Sequence, residues 1–152
     1  MQKLILAYKN FAASKLISHI GLGVSAMNTA KVLERHGFHA EVWPVVNAQD
    51  LAAKLSAQPA SHVVVSAPWI PTREYQRMVT QYPDAQFAVN CHSNVGFLQA
   101  DTNGVKLVRE AMELELGAST FHLAGNSHKF CRWVRSAFAA PCAYLPNLYY
   151  LD

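Results

Sequence analysis

The sequence predicts an α/β fold: a Rossmann-like three-layer αβα sandwich around a doubly wound, mainly parallel six-stranded sheet. Short apolar runs rich in β-branched residues alternate with longer segments of helical periodicity along the whole chain. Strands that alternate with helices pack as a parallel sheet with helices on its faces. The length of 152 residues is typical of one domain, so we expect a single domain over residues 1–152.

Six runs predict the strands, because each is short, apolar or β-rich, and bounded by turn-forming or polar residues. They cover residues 4–8, 39–46, 61–67, 86–91, 119–123 and 143–145, the last as a strand or the approach to one. We expect the strand order 3-2-1-4-5-6. In that order the direction of winding reverses between the first and fourth strands.

Helical periodicity and end signals predict a helix after each of the first five strands. The predicted helices cover residues 25–36, 48–57, 71–82, 104–116 and a last segment that ends near residue 138. Gly37 should end the first helix in a left-handed conformation, and Pro71 suits the first turn of the third helix. Asn126 or Ser127 should cap the last helix, since short polar side chains bind the free N–H groups there.

Composition excludes several classes of protein. Hydrophobic residues make up 51% of the chain and charged residues 15%, which excludes a disordered chain. The net charge of +3 is small and scattered, so we expect no nucleic-acid partner. The longest apolar runs are far shorter than the roughly 20 residues that cross a membrane, and the N-terminal run is too short for a signal peptide.

The three cysteines favour free thiols. Cys91, Cys131 and Cys142 are odd in number and lack CxxC spacing, which argues against a disulfide framework and a zinc site. The histidines show neither HxH nor HExxH spacing, so we expect no metal. Free thiols are typical of a reducing compartment, and we expect a cytoplasmic protein.

Two glycines precede the predicted first helix. Gly21 and Gly23 fall at the end of a long irregular stretch, residues 9–23, where backbone amides at a helix N-terminus can approach a phosphate. With Ala26 they also fit the pattern GxGxxA, and Glu41 follows about 20 residues on, where an acid would bind the ribose of NAD(P). Phosphate binding, NAD(P) binding and a purely structural turn all remain open for these glycines.

His92 is the candidate catalytic residue. It follows the fourth strand, and a histidine at the carboxyl end of a central strand can hydrogen-bond a ligand or take a proton near neutral pH. The alternative is a histidine that only binds loop carbonyls. Ser93, Asn126 and Ser127 are candidate ligand-binding residues on the same expected edge, with plain helix capping as the alternative for the last two.

These residues resemble the N-terminal half of a GT-B glycosyltransferase, in particular the retaining, nucleotide-sugar-dependent group 1/4-like enzymes. The first strand, the glycines and a helix ending Leu33-Glu-Arg-His-Gly37-Phe-His-Ala-Glu-Val42 look like the family's opening. His92 is similar to the family's strand-terminal histidine. The stretch from Asn126-Ser127 to Pro146-Asn147 looks like its "N-S" helix and its closing "P-N" at a domain hinge. The family's commoner Gly-Gly pair is absent.

The resemblance implies a role in moving a sugar from a nucleotide-sugar donor to a glycan, lipid or small-molecule acceptor, with no tightly bound cofactor. It implies that this half binds the acceptor, that Gly21 and Gly23 lie near the donor phosphates, and that His92 lies beside the transferring sugar. In the family a second domain carries most of the donor site, so we expect residues 1–152 alone to be inactive. A homodimer formed through apolar surface and peripheral membrane association remain open. An NAD(P)-binding oxidoreductase domain and a non-catalytic binding module are the alternative functions.

Overall fold

The fold is a parallel sheet flanked by helices. The computed structural model describes residues 2–9, 17–66, 69–92 and 102–148, with the backbone alone at residues 17–22 and 102. The strands are β1 Lys3–Lys9, β2 His39–Val45, β3 His62–Ser66, β4 Gln86–Cys91, β5 Phe121–Gly125 and β6 Ala143–Tyr144. The helices in these ranges are α1 Ile17–Arg35, α2 Ala48–Ala57, α3 Thr72–Gln81, α4 Thr102–Gly117 and α5 His128–Phe138. The predicted Rossmann-like α/β sandwich is confirmed, and every strand pair is parallel.

The strand order is β2-β1-β3-β4-β5-β6, so the predicted order 3-2-1-4-5-6 is wrong. β2 is an edge strand, whereas the predicted order placed it inside the sheet. Pro44 lies within β2 and has no N–H to donate, which is why such a strand is confined to an edge. β3, with the sequence HVVVS, is a nearly continuous apolar run of the kind found between two other strands. The winding therefore reverses between β1 and β3.

The first helix begins earlier than predicted. α1 starts at Ile17 rather than at residue 25, so residues 17–23 belong to the helix. Its end agrees with the prediction, because α1 stops at Arg35 and Gly37 follows with a φ of 89°. Glycine adopts this left-handed conformation without the strain that a Cβ would cause, which is why it commonly ends a helix.

The two faces of the sheet are covered unequally by the described residues. Helices α2 to α5 pack on one face around a large apolar core that includes Val63, Phe87, Phe121 and Phe130. On the opposite face α1 packs over β1 and β2, where Leu6 lies in a smaller cluster of buried residues. Beyond α1 on that face, residues 145–148 lie against the sheet near β3 and β4.

Candidate functional site

A cavity of about 220 Å³ lies on the α1 face, beside the point where the winding reverses. We call it the α1 cavity. Its walls come from β1, β3, β4, α1 and the C-terminal segment. The described residues that line it are Leu4, Leu6, Ser25, Ala26, Thr29, Leu33, Val64, Ser66, Asn90, His92, Leu145, Pro146, Asn147 and Leu148. Doubly wound sheets bind ligands near such a reversal, at the carboxyl ends of the strands, so this cavity is the candidate site.

The alternation of β4 places Asn90 on the cavity side. Phe87 and Val89 belong to the core on the α2–α5 face, and side chains along a strand alternate, so Asn90 faces the other way. In the β3–β4 ladder Asn90 is the partner of Ser66, and both side chains line the cavity. Both are buried, with exposed fractions of 7% and 8%. A pair of polar side chains is thus held inside a largely apolar cavity.

The C-terminal segment, residues 145–148, forms one wall of the cavity and runs from β5 to α1. The Leu145 N–H donates to the Gly125 carbonyl at 2.9 Å, and the Leu145 carbonyl accepts from Asn90 Nδ2 at 3.2 Å. At the far side the Leu148 N–H donates to Thr29 Oγ1 at 3.4 Å. These bonds hold residues 145–148 over the carboxyl edge of the sheet.

His92 follows β4 directly and lines the cavity. Asn126 Nδ2 lies 3.3 Å from His92 Nδ1, and the Asn126 N–H donates to the Cys91 carbonyl at 3.2 Å. An amide nitrogen only donates, so Nδ1 accepts and the ring proton belongs on Nε2. Burial lowers the pKa of His92 below its ordinary value of 6.5, which keeps the ring neutral at pH 7. His92 is therefore set up as a hydrogen-bond donor through Nε2.

The predicted site residues separate into those that meet and those that do not. His92 and Asn126 come together at the carboxyl edge. The Ser127 hydroxyl accepts from the Phe130 N–H at 3.1 Å and caps α5, which is the capping alternative for this residue. Ser93 lies outside the described residues.

The predicted glycine loop before a helix is wrong at Gly21 and Gly23, because both lie inside α1. Free N–H groups for a phosphate occur only in the first turn of a helix, and both glycines come after that turn of α1. Gly23 has a packing role instead. A Cβ there would lie 3.2 Å from the ring of Tyr8, so glycine lets α1 lie close to the end of β1.

The residues that would bind NAD(P) do not lie together at the carboxyl edge of the sheet. Glu41 lies near the amino end of β2, opposite Ile5, whereas a ribose-binding acid lies at the carboxyl end of its strand. Its carboxylate accepts from Trp43 Nε1 at 3.0 Å and pairs with Lys3 Nζ at 3.3 Å. The Trp43 hydrogen bond is the largest cause that lowers the pKa of Glu41; burial opposes it, and Lys3 lowers the pKa further. Ala26 is buried on α1 against the sheet.

A second depression lies at the same edge, on the α2–α5 face, between the starts of α2 and α3. It has a volume of about 190 Å³ and charged walls that include Lys9 and Arg73. Trp69 lies there too, with its Nε1 donating to the Ser66 carbonyl at 3.0 Å and Lys9 Nζ 5.5 Å from its ring centre. The two depressions thus differ in charge.

Sequence reasoning missed Ser66, Asn90 and the lining segment 145–148 as site residues. The available signal was Asn90 itself. A polar residue inside the otherwise apolar run FAVNC marks a strand position where the side chain needs a polar neighbour.

No model of a known protein family and no curated protein matches this sequence.

In the described ranges, none of the helices is long and apolar enough to cross a membrane. The same ranges hold no group of three or more His, Cys, Asp or Glu residues that could bind a metal ion. Cys91, Cys131 and Cys142 are all buried, and none of them forms a disulfide bond.

Proposed function

We propose that this chain is the acceptor-side half of a glycosyltransferase that moves a sugar from a nucleotide-sugar donor to an acceptor. The observation that carries the proposal is a largely apolar cavity, without a charged side chain among its described lining residues, that ends at a neutral histidine on the carboxyl edge of the sheet. Such a cavity suits the apolar part of an acceptor molecule. His92 would then lie where the acceptor meets the sugar.

The charge of the cavity lining indicates which part of the enzyme would bind the donor. Among the described residues that line the α1 cavity none is Asp, Glu, Lys or Arg. A diphosphate needs cations or free backbone N–H groups, and Gly21 and Gly23 do not offer such groups within α1. The donor diphosphate would therefore bind outside the α1 cavity, and by the resemblance to the GT-B family the second domain would hold most of it.

In this reaction the bond from the anomeric carbon to the diphosphate oxygen breaks and a bond from that carbon to the acceptor oxygen forms. The acceptor proton leaves to the medium. His92 Nε2–H would donate to a sugar hydroxyl or to the donor phosphate, and Asn126 would fix the ring through Nδ1. A donor fixed in advance stabilises charge that develops on the departing group.

The test measures release of UDP or GDP from UDP-glucose, UDP-N-acetylglucosamine and GDP-mannose. It uses the longest natural polypeptide that contains residues 1–152, with residues 1–152 alone as a second sample. We expect release by a polypeptide that includes the donor domain and none by residues 1–152 alone. Removing one preorganised donor typically lowers kcat by about 100–1,000-fold, so His92→Ala should do so. The matched control is His36→Ala, since His36 is exposed just after α1 and outside the cavity.

Three results would count against the proposal. The first is micromolar binding of NADH by residues 1–152, followed by its fluorescence, which would favour the oxidoreductase alternative. The second is failure to release a nucleoside diphosphate from all three donors. The third is equal rates for His92→Ala and the wild type.

A further inference from the structure

Two of the three cysteines touch each other next to the last strand of the sheet. Cys131 lies on α5 and Cys142 directly precedes β6, and their Sγ atoms are 3.5 Å apart. Both residues are buried, with exposed fractions of 0% and 3%. A disulfide bond has an S–S distance of about 2.05 Å, so the two sulfurs need to approach each other by only about 1.5 Å. Rotation about the Cα–Cβ bonds moves sulfur atoms over such a distance.

The backbone around Cys142 is held in place without the thiols. The segment that follows pairs with β5 as a short ladder, and the Leu145 N–H donates to the Gly125 carbonyl at 2.9 Å. The Arg135 guanidinium on α5 donates to the Cys142 carbonyl at 2.5 Å. These contacts keep Cys142 beside α5 whether or not a covalent bond joins the two sulfurs.

The two thiols contribute little to the fold as hydrogen-bond donors. Cys131 Sγ lies 3.5 Å from the Ala143 carbonyl oxygen and 3.7 Å from that of Gly125. Cys142 Sγ lies 3.9 Å from the Ala143 carbonyl oxygen. Because an S–H group is a weak donor, loss of both thiol hydrogens on oxidation costs the fold little.

Burial determines when a bond between the two sulfurs can form. Burial raises the pKa of the Cys142 thiol, and the thiol attacks a disulfide only as a thiolate, so the folded chain should react slowly. β6 has only two residues, both exposed, and lies at the edge of the sheet. Few contacts therefore have to break before Cys142 reaches the solvent. The bond can form through this local opening or while the chain folds.

We propose that Cys131 and Cys142 form a disulfide bond in oxidising surroundings, which ties α5 to the strand that leads into the C-terminal wall of the α1 cavity. A reducing glutathione pool would keep the two thiols free. The inference does not rest on the proposed function, because it needs neither a donor nor an acceptor.

The oxidant is a small disulfide such as oxidised glutathione. The Cys142 thiolate attacks it, forms a mixed disulfide and releases one glutathione thiolate. The Cys131 thiolate then attacks the Cys142 sulfur and releases the second. The two cysteines lose two electrons to the S–S bond of the oxidant, and their two protons end on the two released thiolates.

The bond would close a loop between two residues that lie 11 positions apart in sequence. A cross-link of this size restricts the unfolded chain more than the folded one. We expect the melting temperature of the oxidised protein to exceed that of the reduced protein by roughly 5–10 °C. Cys91 in β4 is the competing thiol, and a bond to it would join other elements.

The test refolds fully reduced residues 1–152 from urea into mixtures of reduced and oxidised glutathione. Thiols that remain free are then alkylated, and mass spectrometry of peptides identifies which cysteines are joined. We expect Cys131 joined to Cys142 as the predominant product, with Cys91 alkylated. Melting of the oxidised and the reduced protein is followed by circular dichroism.

Two variants separate this pair from the third cysteine. Cys91→Ser is the matched control, which should form the bond and gain the same rise in melting temperature as the wild type. Cys142→Ser lacks the pair, so its melting temperature should be the same in reduced and in oxidised glutathione. If Cys142→Ser does not fold, the peptide map of the wild type decides alone.

Alkylation of both Cys131 and Cys142 after refolding in oxidised glutathione would overturn the proposal. So would a predominant bond that includes Cys91, or a mixed disulfide with glutathione that persists at Cys142. Equal melting temperatures of the oxidised and the reduced wild type would also contradict it. No nucleotide sugar is present in this experiment, so its outcome is independent of the assay for nucleoside-diphosphate release.

Discussion

Replacing Gly125 by alanine should destabilise the fold at the base of the candidate site. Gly125 ends β5, and a Cβ there would lie 3.1 Å from Phe130 Cε1, closer still to Phe130 Cδ1, and 3.2 Å from Cys131 Sγ. Ordinary contacts of a Cβ begin at about 3.4 Å. Phe130 is fully buried, so the added methyl overpacks the core. We expect a loss at the upper end of the usual range of about 1–3 kcal/mol for such overpacking.

Urea denaturation followed by circular dichroism measures this loss, and the melting temperature should fall by roughly 5–10 °C. Gly117→Ala is the matched control. Gly117 ends α4, and a Cβ there would meet nothing within 4 Å. Alanine is the better helix former, so the control should be neutral or up to about 1 kcal/mol more stable than the wild type. Equal stabilities of the two variants would refute the packing described around Phe130.

Two further predictions concern buried polar groups. The Tyr75 hydroxyl is buried with no hydrogen-bond partner among the described residues, and its ring packs 5.0 Å from that of Phe121. Tyr75→Phe should therefore stabilise the protein by about 1 kcal/mol in urea denaturation; a loss of stability would reveal a partner for the hydroxyl. Burial lowers the pKa of His92 in the folded state, so below its ordinary value of 6.5 the unfolded chain binds a proton that the folded chain does not. The wild type should therefore lose more stability than His92→Gln as the pH falls from 7.5 to 5, and parallel pH profiles for the two proteins would contradict the burial of His92.

Local signals in the sequence predicted most of the boundaries of the helices and strands, but not which strands are neighbours in the sheet. Residues 48–57 and 86–91 agree with α2 and β4 because local signals end both elements. The strand order depends on long-range pairing, which the periodicity of one strand does not contain. Pro44 was the one local sign that β2 lies at an edge.

Early residues of α1 and the polar wall of the site depend on tertiary contacts. Gly21 and Gly23 each cost about 1 kcal/mol in a helix, so local propensity favours a loop, whereas packing against Tyr8 favours a helix with glycine at residue 23. The role of Asn90 depends on a bond to Leu145, which lies 55 residues away in sequence. A lone asparagine in a strand indicates a polar neighbour but does not identify it.

The most direct test of the account compares nucleoside-diphosphate release by the wild type and by His92→Ala in the longest natural polypeptide that contains residues 1–152. The central claim is that His92, held by Asn126 at the carboxyl edge of the sheet, contributes to sugar transfer. The account predicts that kcat falls by about 100–1,000-fold in His92→Ala and stays unchanged in His36→Ala. Equal rates for His92→Ala and the wild type would contradict it.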